Sequence, residues 1–207
     1  VRYRGIFLND EAPCLTSWVK NTYGTKYGGH DFYARVGELI LRLRGNFLWP
    51  AMWAWAFYAD DPENSRTLSD MGVIVGTSHH EPMARNHQEW ARKRKEYGAW
   101  NYGTNKDVLD RFFAEGIRRA KDTEDLITIG MRGDGDTGMD GDTSSAFMER
   151  IIASQRAIIE RETGRAASEV PQVWALYKEV LDYYDNGINI PDDVTLLLCD
   201  DNWGNVR

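Results

Sequence analysis

The sequence predicts an α/β fold, a (β/α)8 barrel of which about six βα units are present, and three observations predict it. Six short apolar runs alternate with amphipathic helical stretches, the rhythm of parallel strands joined by helical crossovers. No glycine-rich dinucleotide fingerprint accompanies these units, which disfavours a doubly wound sheet. Titratable groups, amides and aromatics gather after the apolar runs, at the end where a barrel keeps its sites.

The elements follow in order. YRGIFLN (3–9) reads as the first strand, and a helix is expected over about 29–44, GHDFYARVGELILRLR, where apolar residues recur at helical spacing. NFLWPAM (46–52) is the second strand, followed by a short helix from Asn64 to Met71. GVIVGTS (72–78) is the third, followed by a helix from Pro82 to Tyr97. A further helix over 106–121 leads to the fourth strand, LITIGM (126–131). Residues 144–164 form the clearest helical pattern, with Gly164 as terminator. PQVWALY (171–177) and VTLLLCD (194–200) are the fifth and sixth strands. A barrel closes with eight strands, and the first residue is Val1, so the chain is expected to be a partial barrel catalytic domain over 1–207 of a longer protein, its flanking domains absent. Such a piece would expose the edges of its first and sixth strands, and alone it is expected to be weakly active or inactive.

Composition narrows the function. A chain of 207 residues is long enough for one sizeable core. With 25 Lys+Arg against 32 Asp+Glu it is acidic, which argues against a nucleic-acid partner. No apolar run approaches the roughly 18 residues of a membrane span, and no secretory signal stands at the start. Cys14 and Cys199 lie far apart and form no CxxC pair, which argues against a disulfide framework or a structural zinc site. Eight tryptophans suit sugar stacking as well as core packing; Trp49, Trp55 and Trp174 are assigned to the core, and Trp203 to either pocket or packing.

The stretch TIGMRGDGD (128–136) ends an apolar run on Arg132, Asp134 and Asp136, interleaved with glycines. A solvated turn is the plain alternative. An EF-hand loop fails, because Gly138 stands where Asp or Asn is needed and Ser145 where Glu is needed. What outweighs the turn is recurrence. Asn9, Asp10 and Glu11 follow the first strand, Trp53 the second, and His79, His80 and Glu81 the third. Tyr177, Lys178 and Glu179 follow the fifth, and Asp200, Asp201, Asn202 and Trp203 the sixth. Turns alone would place polar residues at both strand ends; a barrel brings these particular positions to one mouth.

Carboxylates carried by different strands can take different pKa values, one a general acid and another a base, which is the equipment of glycoside hydrolysis. Arg132 and Lys178 point to a carboxylated sugar, because guanidinium pairs bidentately with carboxylate. The alternative for Arg132 is an internal salt bridge to Asp134 or Asp136. A metal-dependent hydrolase using His79, His80, Asp200 and Asp201 is the rival reading. Against it, no H-x-H pair follows the first strand, and adjacent histidines after a strand point their rings in opposite directions. A non-catalytic acidic-sugar-binding domain would leave so many carboxylates unexplained. By the same alternation Lys178 is expected to leave the mouth, while His80 is expected to be structural.

The motifs RGIFLNDEAP (4–13), GNFLWPAMW (45–53), GTSHHEPM (76–83), WNYGTNK (100–106), IGMRGDGD (129–136), EVPQVWALYKEV (169–180) and LLCDDNWGN (197–205), in this order, resemble glycoside hydrolase family 115, the xylan α-1,2-glucuronidases. The resemblance runs nearly end to end. It implies a barrel within a larger multidomain enzyme, inversion at the anomeric carbon, no metal and no cofactor. The implied substrate is glucuronic acid, often 4-O-methylated, on the xylose backbone of glucuronoxylan, with no membrane partner. An extracellular or periplasmic location is implied too, and there is room for a homodimeric parent.

Carried over motif by motif, the catalytic residues are Glu179, Asp136 and Asp200. Glu179 is read as the general acid and Asp136 as the base, with Asp200 its competitor. Asp10, Glu11, Trp53, His79, Arg132, Tyr177 and Asn202 are read as substrate-binding, Arg132 and His79 holding the uronate. Inversion asks for an acid and a base about 6.5–9.5 Å apart.

Overall fold

Residues 1–50, 53–200 and 203–205 are described by the structure, a computed structural model. Its strands are β1 (Gly5–Phe7), β2 (Phe47–Trp49), β3 (Ile74–Gly76), β4 (Asp125–Thr128), β5 (Gln172–Leu176) and β6 (Val194–Leu198). Its helices are α1 (Cys14–Tyr23), α2 (His30–Arg42), α3 (Phe57–Asp60), α4 (Glu63–Asp70), α5 (His87–Arg92), α6 (Arg94–Tyr97), α7 (Lys106–Ala120), α8 (Ser145–Thr163) and α9 (Glu179–Asp185).

All six strands are parallel and lie in sequence order, each paired with the next: Gly5 opposite Phe47, Phe47 opposite Ile74, Val75 opposite Asp125, Ile127 opposite Gln172, and Gln172 opposite Val194. A doubly wound sheet reverses its order at a switch point; this one never does, and it curls into a half-barrel. β4 and β5 are buried along their whole length, as parallel strands covered on both faces are. β1 is exposed throughout and β6 is buried only at Val194, so the two edges of the sheet are open.

Helices cover the outer face. α2 packs on α4 and α7 on α8. α8 is stopped as expected: the Ser144 Oγ accepts from the Phe147 N–H at 3.2 Å, and Gly164 takes the left-handed conformation at φ 68°. α2 has no side-chain cap of its own, and Asp61 supplies one from across the chain, accepting the His30 N–H at 2.9 Å. Among the described residues no helix is long and apolar enough to cross a membrane.

Three features depart from the sequence reading. α1 was not anticipated, because CLTSWVKNTY buries only Val19 and shows no clear apolar stripe. The helix expected from Pro82 begins only at His87; Met83 and Ala84 stand at φ 64° and 53°, a conformation that breaks a helix. That turn is fixed by the Met83 N–H donating to the Thr128 carbonyl at 2.8 Å, and by α7, where a Cβ on Gly116 would lie 2.1 Å from the Met83 carbonyl oxygen. The fifth strand ends at Leu176, so Lys178 and Glu179 are not on a strand: Glu179 opens α9.

Candidate active site

The site grows from the end of β4. The Ile129 N–H makes a last ladder bond to the Val173 carbonyl at 2.9 Å. Gly130 then turns the chain at φ 84°, with the Trp174 indole so close that a Cβ would lie 2.3 Å from its Nε1; only glycine fits there. The buried Gln155 amide holds that peptide at both poles, accepting from the Gly130 N–H at 2.7 Å and donating to its carbonyl at 2.8 Å. The strand is thereby released into the RGDGD loop in one fixed direction.

The two aspartates of that loop part company. Asp134 turns to His87 Nε2 at 2.9 Å and to Arg94, whose Nη2 donates at 2.8 Å. Asp136, at φ 66°, turns inward to His79 Nε2 at 2.8 Å and to Arg132 Nη1. Asp134 is therefore a strut for the loop, and Asp136 faces the mouth. Of the two salt bridges foreseen for Arg132, the one to Asp136 forms.

Arg132 is 2% exposed. Its Nε donates to Glu179 Oε1 and its Nη2 to Glu179 Oε2, both at 2.8 Å, while Nη1 serves Asp136. Its guanidinium carbon lies 5.6 Å from the Tyr177 ring centre. Arg132 thus joins Asp136 and Glu179, and its three nitrogens are engaged within the protein. Burial pushes the Glu179 carboxyl up, but the fork from Arg132 and the start of α9 outweigh it, and its pKa falls below the ordinary 4.5. A group so placed is ionised at neutral pH, which suits a general acid only once Arg132 is drawn away or a further negative charge arrives.

His79 stands between Ser78 and Asp136. Burial, then Arg132 and Lys178, lower its pKa to about 4, so the ring is neutral at neutral pH. Nε2–H then donates to Asp136, and Nδ1 accepts from the Ser78 hydroxyl at 2.9 Å. His80 is buried and lowered to about 2, chiefly by burial, and its Nδ1 has no partner among the described residues. The His79 and His80 ring centres are 5.0 Å apart, and both rings, with Asp136, offer potential ligand atoms within 4.8 Å of one another. The expectation that adjacent histidines diverge is overturned, because β3 ends at Gly76 and strand alternation no longer applies at 79 and 80.

The same reason corrects Lys178. At φ 52° its backbone turns back, and Nζ lies 3.9 Å from Asp136 Oδ2 and 5.0 Å from the Tyr177 ring centre, on a side chain 51% exposed. Tyr177 packs edge-on to His79 at 4.7 Å, and Trp53, 39% exposed, stands 6.2 Å from His80. Arg132, Asp136, His79, Tyr177 and Glu179 are therefore brought together, with Trp53 at the rim.

Asp10 has a structural role that its position in the sequence does not reveal. Its buried carboxylate accepts from the N–H groups of Trp53, Ala54 and Trp55 at 2.8, 2.8 and 2.7 Å, so it holds the loop after β2. Glu11 is exposed, and Asp200 is exposed beyond β6. Asp201 and Asn202 lie outside the described residues. Gln155 and Ser78 do site work that was not foreseen. Gln155 lies within a helical pattern and carries no signal, whereas the HH pair after GTS already hinted at a partner for His79.

One hollow adjoins this centre and another lies at the far end of the strands. A trough of ≈ 560 Å³ lies between residues 138–145 and α9, with Glu179 in its wall. Another, of ≈ 300 Å³, opens at the opposite, N-terminal end of the strands beside Asp125. There Asp125 is already bonded to Tyr58 at 2.8 Å and Thr123 at 2.6 Å.

Comparison with known proteins gives concordant results. A model of glycosyl hydrolase family 115 matches residues 1–207. The solved structure of BtGH115A, described as a novel family GH115 4-O-methyl-α-glucuronidase with specificity for decorated arabinogalactans, superposes with a TM-score of 0.90 at 37% identity. That match covers 100% of this chain and 28% of that one, so the chain spans less than a third of its relative. Protein SMc04130 from Sinorhizobium meliloti 1021 gives a TM-score of 0.46 at 11% identity, over 93% of this chain and 62% of that one, a likeness too weak to bear on fold or function. No curated protein matches. With one mouth built from the ends of β3, β4 and β5 and the family's pattern matched from first residue to last, the chain belongs to glycosyl hydrolase family 115.

Proposed function

We propose that the protein containing this chain is an inverting α-glucuronidase that releases glucuronic acid or its 4-O-methyl ether, α-1,2-linked to xylose in glucuronoxylan. The observation that carries this reading is the single guanidinium of Arg132 joining Asp136 to Glu179, beside a neutral His79 and the half-exposed Lys178. Asp136 serves as base, oriented by His79 and Arg132. Glu179 serves as acid, and Asp200 is the alternative base. With Arg132 committed inside the protein, the half-exposed Lys178, 3.9 Å from Asp136, is assigned to meet the uronate carboxylate. That carboxylate also brings the negative charge which, near Glu179, favours its protonated form. Trp53 and Tyr177 wall the pocket, and Glu11 and Asn202 are assigned to its rim. No metal or other cofactor is required by this scheme, the enzyme works outside the cytoplasm on a polysaccharide, and it is compatible with a homodimer.

The test is proton NMR of the whole protein on 4-O-methylglucuronoxylan and, in parallel, on glucuronidated arabinogalactan, with chelator present. Release from xylan with the β-anomer appearing first is the expected result; release from arabinogalactan alone would move the substrate to that class. A second reading has one observation in its favour, the grouping of His79, His80 and Asp136. Activity that vanishes with chelator and returns with a divalent metal would select it. Against it, Asp136 already carries His79 and Arg132, and Lys178 adds a second cation beside it.

A further inference from the structure

We infer that the trough between residues 138–145 and α9 is the seat of the neutral sugar chain from which the uronate is cut. This inference rests on the glycosidase reading above and adds to it the location and chemistry of a second subsite. A general acid delivers its proton to the oxygen joining the departing sugar to the chain left behind, so the two sugars lie on opposite sides of it. Glu179 borders two such regions. One holds Arg132, with Asp136, His79 and Lys178 beyond it. The other is the trough that Glu179 helps to line.

Charge assigns the two sides. Arg132 and Lys178 stand on the first, where a carboxylated sugar is favoured. The described residues lining the trough include Glu179 and Asp182 and no cation, which repels a uronate and leaves neutral sugars as the fitting occupants. The remaining lining suits them as well. Thr143, Ser144, Ser145 and Asn186 offer hydroxyl and amide groups to sugar hydroxyls. At ≈ 560 Å³ the trough lies within the roughly 300–1,000 Å³ range of small-molecule sites, enough for a short oligosaccharide.

The experiment is calorimetric titration of the whole protein with xylotriose, with a galactotriose and with glucuronic acid, repeated on Asn186→Trp and Ser145→Trp, which would fill the trough from its two walls. The expected result is that one neutral trisaccharide binds, that each variant weakens it by at least about tenfold, and that glucuronic acid is weakened by a smaller factor. The KM for the polysaccharide rises in step with the loss of trisaccharide binding. Glucuronic acid bound without either trisaccharide overturns the trough alone, as does trisaccharide binding indifferent to both tryptophans. Failure of glucuronic acid itself to bind strikes the uronate reading beneath it. If a tryptophan variant loses both ligands together, Asn186→Ala and Ser145→Ala decide: unchanged trisaccharide affinity in both overturns the proposal.

Discussion

Arg132 grips Glu179 by both carboxylate oxygens, Nε to Oε1 and Nη2 to Oε2, each at 2.8 Å. The end of β4 is thereby tied to the start of α9, and the remaining nitrogen, Nη1, reaches Asp136. Arg132→Ala removes the cation between two carboxylates. Loss of stability of about 2–4 kcal/mol is expected, below the range for a fully buried pair because Glu179 is 31% exposed. Activity should fall at least about a hundredfold, since Asp136 and Glu179, the carboxyls proposed to react, both lose their position. The wild type should also lose stability as pH falls below 4.5 through the lowered value of Glu179, a contribution that Arg132→Ala should lack. Thermal melts across that acid range check both points.

The histidines give a different acid signature. His79, His80 and His87 are lowered from 6.5 to about 4, about 2 and about 4, in each case chiefly by burial. Between these values and 6.5 the unfolded chain binds protons that the folded one refuses, so stability falls as pH drops from 6.5. Buried Asp125, raised to about 6, and Glu81, also raised by burial, act in the opposite sense over this range, so the histidine effect is read as a difference: the denaturant midpoint of His80→Gln should decline less steeply from pH 6.5 downward than that of the wild type. Parallel profiles for the two proteins down to pH 4.5 would contradict the burial argument.

Lys178 offers a test of substrate charge. Replacement by Met keeps the aliphatic stem and removes the cation. A charge-assisted hydrogen bond is worth about 1.5–3 kcal/mol, so KM for a glucuronosyl substrate should rise about 10- to 100-fold, with a smaller change in kcat. An unchanged KM would return the uronate to Arg132.

Gln155 tests the scaffold. Its amide satisfies both backbone groups of Gly130 in a fully buried position. Gln155→Leu leaves a buried N–H and a buried carbonyl without partners, at roughly 1–3 kcal/mol each. Activity should fall alongside stability, because the RGDGD loop loses its fixed departure from the sheet. Urea unfolding measures the first and turnover the second.

The strand order and most helices were legible because periodicity and caps are local: α8 runs from its Ser144 cap to Gly164 as read. The mouth was legible as a set of positions, since parallel winding alone brings strand ends together. What escaped was what happens once a strand stops. Lys178 and the pair His79 and His80 were assigned by strand alternation, yet β5 and β3 end before them, and positive φ at Lys178 turns the chain. The role of Asp10 escaped as well, because its partners are backbone amides 43 to 45 residues away, which leave no trace in side-chain pattern.

Those three amide bonds separate two properties of the mouth that are usually entangled. Asp10 anchors the path of residues 53–55 through main-chain groups that every amino acid except proline provides. The side chain at Trp53 is therefore not part of its own anchorage. Exchanging it alters the surface at the rim of the mouth while the frame beneath stays in place. On the function proposed above, such an arrangement would let one scaffold meet different polysaccharides by redressing a single wall.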